Sequence, residues 1–118
     1  LSAAATTRRA QGRENEMAAY MVVIGTVHDR EAFKNGYGAT VPPLIKKFGG
    51  EYVVMAAPGT FEMLEGAPAG SSAVISKWPS VEAAKAFWNS PEYQQAIGLR
   101  TGISEFSVYL FPSLPGVA

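Results

Sequence analysis

The sequence contains no cysteine, which excludes disulfides, thiolate nucleophiles and every thiolate metal site. It has a single histidine, His28, and a single aspartate, Asp29, too few for most other metal centres or a hydrolytic triad. No apolar run reaches the ~18 residues that cross a bilayer as a helix, so neither a membrane span nor a membrane partner is expected. Nor is charge of one sign in excess. Ten basic residues face ten acidic ones, whereas a nucleic-acid binder normally carries a basic surplus. What remains is a chain of 118 residues, 47% hydrophobic and 17% charged, the size and composition of one globular domain.

Leu1 to Glu16 reads LSAAATTRRAQGRENE and has no face to bury, so a mobile leader or upstream extension is expected there. It lacks the apolar stretch of a secretory signal, and Glu14 and Glu16 do not suit a transit peptide; a cytoplasmic location is expected. Met17 reads as a plausible start of the domain, residues 17–118. That part carries seven basic and eight acidic residues and is close to neutral.

Hydrophobic patterning predicts six elements. Ala19 to Val27 is β-rich and apolar on both sides. Asp29 is an N-cap for a helix that presents Phe33 and Tyr37 at i, i+4 spacing. Gly36 and Gly38 loosen that helix, and Thr40-Val41-Pro42-Pro43 can restart it with the prolines in a first turn. Val41, Leu44, Ile45 and Phe48 form its apolar stripe, and Gly49-Gly50 stops it. Glu51 to Ala57 and Phe61 to Glu65 read as two short strands around the turn Pro58-Gly59-Thr60. Ser72 to Trp78 is a further strand, and Ser80 caps a helix ending at Trp88. Ser90-Pro91-Glu92 opens another helix, expected to run to about Thr101. Glu105 to Phe111 closes the pattern as a strand.

With the paired short strands counted as one arm, the order is β-α-β-β-α-β. This predicts an α+β, ferredoxin-like fold: an antiparallel sheet with its helices on one face. The first and last strands are apolar on both sides, so a lone copy would leave a greasy sheet face in water. A homodimer packed sheet to sheet is therefore expected.

Several motifs carry a resemblance. VPPLIKKFGGEYVV from Val41, Leu64-Glu65-Gly66, Trp78-Pro79-Ser80, EAAKAFWNSPEYQ from Glu82 and Leu99-Arg100 together resemble the domain of unknown function 1330 family. The resemblance implies a dimeric α/β barrel, the superfamily that holds small monooxygenases, isomerases and stress-response barrels. The chain departs from the family pattern at Met55-Ala56-Ala57, where a basic residue and two glycines are common, and at Lys77, where an acid is common.

Candidate chemistry falls on few side chains. His28 is the one imidazole, the side-chain type suited to a general base, or it is an ordinary loop histidine beside the capping Asp29. Tyr93, Ile97 and Arg100 share one face of the last helix, placing a phenol and a guanidinium together. Such an arginine either grips a carboxylate or enolate ligand or pairs with Glu65 or Glu105 to hold helix to sheet. Tyr37, Phe33, Trp88, Phe87, Tyr20 and Trp78 either line an aromatic pocket or fill the core. Neither metal nor cofactor is expected. Two functions follow from these readings. One is a cofactor-independent oxygenase or isomerase acting on a small aromatic or hydrophobic acid, with His28 or Tyr37 moving a proton and Arg100, Tyr93 and Trp88 binding the substrate. The other is a non-catalytic ligand-binding or interaction protein.

Overall fold

The run AYMVVIGTV, rich in β-branched and apolar side chains, forms the first strand, β1 (Ala19–Val27), in a computed structural model that describes residues 18–114. The expected leader, residues 1–16, lies outside the described residues. After β1, Asp29 caps α1 (Arg30–Asn35), its carboxylate accepting from the Ala32 amide at 3.0 Å. Gly36 ends α1 and also starts α2 (Tyr37–Lys47).

The restart thus comes at Tyr37 rather than Thr40, and Pro42 and Pro43 stand inside α2 instead of in its first turn. The Gly36 carbonyl accepts from both Ala39 and Thr40, so the first turn nucleates on the glycine. Burial of Val41 and Ile45 then carries the helix past two residues that lack a donor. Gly49, at φ +92°, stops α2 in a conformation other residues resist.

Strand β2 (Glu51–Ala56) pairs directly with β3 (Ser72–Trp78). No strand forms at Phe61 to Glu65, against expectation. The segment 57–71 is an irregular connection in which Phe61, Met63 and Leu64 are exposed. The reason is positional: β3 takes the inner edge of β2, and a strand on the outer edge would have no core beneath it. Ser80 caps α3 (Val81–Trp88), accepting from the Ala83 amide at 3.0 Å. Ser90 caps α4 (Pro91–Ile97). This last helix is shorter than expected. Beyond Gly98 the backbone turns by i to i−3 bonds, Leu99 to Ala96 and Arg100 to Ile97, to bring the chain back into β4 (Ser104–Pro112).

The sheet order is β2-β3-β1-β4, antiparallel throughout, which is the ferredoxin-like arrangement. The helices cover one face, and the core lies beneath them: Ala19, Met21, Val41, Ile45, Trp78, Ala84, Phe87, Tyr93 and Ala96. Strand alternation sends Tyr20, Val22, Ile24, Ile75, Tyr109 and Phe111 to the other face. Tyr109 and Phe111 stack there with ring centres 6.1 Å apart, and both are about half exposed. Tyr20 therefore lies away from the aromatic pocket it was expected to line. Trp78 is core, packed 4.9 Å from Phe87. Among the described residues, no helix is long and apolar enough to cross a membrane.

Candidate functional site

A small cavity of about 60 Å³ lies between the covered sheet face and helices α2 and α4. Its walls are mostly apolar, from Met21, Val23, Val41, Ile45, Val74, Phe87 and Phe106; its polar atoms come from Tyr37, Tyr52, Tyr93 and Ser76. Tyr37 enters from the first position of α2, which Gly36 places, and Tyr93 enters from α4. Their hydroxyls are 2.8 Å apart. Ser90 fixes Tyr93 from below, donating to the Phe87 carbonyl at 2.7 Å and accepting from the Tyr93 amide at 3.2 Å. The Tyr93 ring is clamped between Phe87, 4.4 Å away, and Trp88, 5.1 Å away. Lys47 at the end of α2 donates to Glu92 at the start of α4, tying together the helices that carry the two phenols. That bond holds the Glu92 carboxyl below its usual value.

Arg100 lies beyond the end of α4, and the tight turn, not helical spacing, carries it to the site. Its guanidinium carbon sits 5.3 Å from the centre of the Tyr37 ring and 5.0 Å from that of Phe106, within cation–π range of both. Its Nε is buried and has no hydrogen-bond partner among the described residues. Arg100 makes no ion pair there either. Glu105 is bonded to His28, and Glu65 is exposed in the connection after β2, so neither glutamate neutralises it. Burial works against the arginine's charge, but the phenols of Tyr93 and Tyr37 outweigh that and raise its pKa above the ordinary value. Burial pushes the Tyr37 phenol well above its ordinary value; Tyr93 adds to the rise, and Arg100 opposes it only in part. Burial also pushes Tyr52 up to about 12. At neutral pH Tyr37 and Tyr52 are therefore protonated donors beside a fixed cation.

His28 stands apart. Its Nε2 lies 2.8 Å from Glu105 Oε2, and both side chains are more than half exposed. Glu105 and Phe106 are successive strand residues and point to opposite faces, so with Phe106 in the cavity wall, the His28–Glu105 pair faces away from it. Trp88 supports Tyr93 from outside and lines a separate apolar groove with Met21, Val108 and Leu110. Tyr37, Tyr93 and Arg100 come together, as expected. Sequence reasoning missed Phe106 and Tyr52. Period-two alternation in β4 and β2 could have placed both on the covered face, but only once that face was known.

A family model described as Domain of unknown function (DUF1330) matches residues 18–114. The chain belongs to the DUF1330 family. Of the motif residues, Tyr93 lines the cavity, Ser90 fixes Tyr93, and Arg100 stands behind the wall, over the rings of Tyr37 and Phe106. A crystal structure of the RPA0582 protein from Rhodopseudomonas palustris, described as of unknown function, shares 22% identity, with 92% of each chain covered and a TM-score of 0.68. A conserved protein of unknown function from Bacteroides thetaiotaomicron, described as a possible oxidoreductase, shares 16% identity; 83% of this chain and 99% of that one are covered, with a TM-score of 0.57. At these identities the likeness establishes the fold alone. No curated protein matches the sequence.

Proposed function

We propose that this DUF1330 protein binds a small carboxylate- or enolate-bearing molecule, whose anionic oxygens are received by Arg100 and the Tyr37–Tyr93 pair. The observation that carries this reading is a guanidinium with no acid beside it among the described residues: two aromatic rings flank it, and its buried Nε has no partner among those residues. A buried donor left unsatisfied costs about 1–3 kcal/mol, and a ligand that accepts from it removes that cost. The planar fork of an arginine matches a carboxylate, and the neighbouring phenols add donors where negative charge would develop. Because its phenol is raised, Tyr37 serves as a hydrogen-bond donor or proton source and not as a base.

The cavity lining contains no carboxylate, imidazole or amine side chain. This favours a ligand-binding role, or catalysis on a substrate that is already enolic, over an isomerase that must abstract a proton. A cofactor-independent oxygenation of an enolate fits that second case. The cavity's volume of about 60 Å³ is less than half of the roughly 150 Å³ that holds a benzene ring. The part of the ligand that enters is therefore a few heavy atoms long, and an aromatic acid would have to keep its ring outside.

Two copies packed through the open sheet face complete the proposal. Tyr20, Val22, Ile24, Ile75, Tyr109 and Phe111 form an apolar face of the kind that globular monomers seldom leave in water. The test of the site is calorimetric titration of propionate against propionamide, which match in size but differ in charge. Propionate binding that disappears in Arg100→Met supports the site; equal binding of acid and amide overturns it.

A further inference from the structure

At the outer end of the covered sheet face lies a second depression, about 320 Å³, lined by Val27, Arg30, Phe33, Lys34, Ser72 and Phe106. It shares Phe106 with the inner cavity. That ring meets Phe33 edge-on at 5.7 Å and Tyr37 at 6.4 Å, so it is a wall common to the two spaces. Phe106 lies down against β1 at Gly25, where an added Cβ would overlap both its ring and the Glu105 carbonyl oxygen. The Arg100 guanidinium rests over the same ring. Arg30 and Lys34 are four residues apart on α1 and share a helix face. Among the described residues neither forms an ion pair. The groove is thus apolar along its floor and cationic at its rim.

We infer that the outer groove holds a second anionic group of the same ligand, which is an elongated dicarboxylate with an apolar middle running past Phe106. This rests on Arg100 as the receptor of the first carboxylate. Three features support it: the Arg100 guanidinium over the Phe106 ring, that ring as a wall common to both spaces, and two cations at the outer groove that form no ion pair among the described residues. A monocarboxylate would satisfy Arg100 and leave the rim empty. The inner cavity alone is too small for a long ligand, and the outer groove adds about 320 Å³ beside the shared Phe106 ring.

The experiment titrates the full chain with glutarate and adipate against the chain-matched valerate and hexanoate. Exposed ion pairs are individually weak, so two of them should make each dicarboxylate bind about fivefold tighter than its partner. That preference should shrink at 1 M salt. In the Arg30→Gln/Lys34→Gln double variant, which keeps good helix formers on α1, the preference should vanish while valerate affinity stays within about twofold of the parent. Equal binding of mono- and dicarboxylates by the parent protein overturns the inference and leaves the Arg100 site standing. So does a preference that survives the double variant. A faster association rate without tighter equilibrium binding also overturns it, because the rim would then only steer anions. Valerate binding that persists in Arg100→Met, or the failure of every acid to bind, overturns the site and this inference together.

Discussion

Replacing Arg100 by methionine distinguishes an arginine that waits for a ligand from one that holds the fold together. The structural costs and gains nearly cancel. Removing the guanidinium relieves a buried, unpartnered Nε, a gain of about 1–3 kcal/mol. It also removes two ring contacts, at 5.3 and 5.0 Å, each worth about 0.5–1 kcal/mol at a partly exposed site, and the hydrogen bonding of the Tyr93 and Tyr37 phenols to the guanidinium, worth about 0.5–1.5 kcal/mol. A methionine sulfur against the same rings returns about 0.3–1.5 kcal/mol. Taken at their middles, these terms sum to within about 1 kcal/mol of zero. An arginine in a buried ion pair would instead cost about 3–5 kcal/mol when removed. At about 4–8 °C per kcal/mol for a domain this size, the melting temperature should move by less than about 8 °C. Urea denaturation followed by Trp78 and Trp88 fluorescence measures the stability, and titration with propionate measures the site. Near-parent stability together with lost binding is the expected result. A destabilisation of about 3 kcal/mol or more would point to a structural arginine and refute the reasoning.

Gly25→Ala should destabilise the fold by about 3 kcal/mol, the upper end for overpacking, because the new Cβ meets the Glu105 backbone and the Phe106 ring; a loss below about 0.5 kcal/mol would mean that β4 yields freely. Tyr37→Phe should cost about 1 kcal/mol by leaving the Tyr93 hydroxyl without its partner. The raised phenols of Tyr37 and Tyr52 bind their protons more tightly in the folded chain, so stability is full below their ordinary value of 10 and falls as pH rises towards the Tyr52 value of about 12. Urea melts between pH 8 and pH 12 should show this loss, and it should be smaller in Tyr37→Phe. Tyr109→Glu places a charge on the open sheet face and should give a monomeric mass by light scattering at micromolar concentration; a parent protein that is already monomeric would defeat the dimer proposal.

The local signals that survived into the structure were those with a backbone cause close by in sequence. Asp29, Ser80 and Ser90 cap the helices they precede, because a short acceptor side chain can reach amides two or three residues ahead. Gly49 stops α2 for the same kind of local reason. The failures came where a distant partner decided. Phe61 to Glu65 has the composition of a strand but would find no core beneath it at the outer edge of β2. Pro42 and Pro43 sit inside α2 because Val41 and Ile45 find a core there. Arg100 reached the site by a turn that no periodicity announces.

Composition and patterning by themselves determined the fold class, the apolar character of both sheet faces and the absence of thiol chemistry, because these depend on residue types and short spacings. Sequence also named Tyr37, Tyr93 and Arg100 as candidates. Only the tertiary structure decided that His28 belongs with Glu105 on the other side of the sheet. The same is true of Phe106, which the structure places as a wall shared by two cavities, and of Arg100, which it leaves without an acid among the described residues. These outcomes turn on which side chains from separate elements come within a few ångströms of each other, and that is fixed by strand register and helix docking. A one-residue change of register along β4 would exchange Glu105 for Phe106 at the cavity and reverse the chemistry of the site.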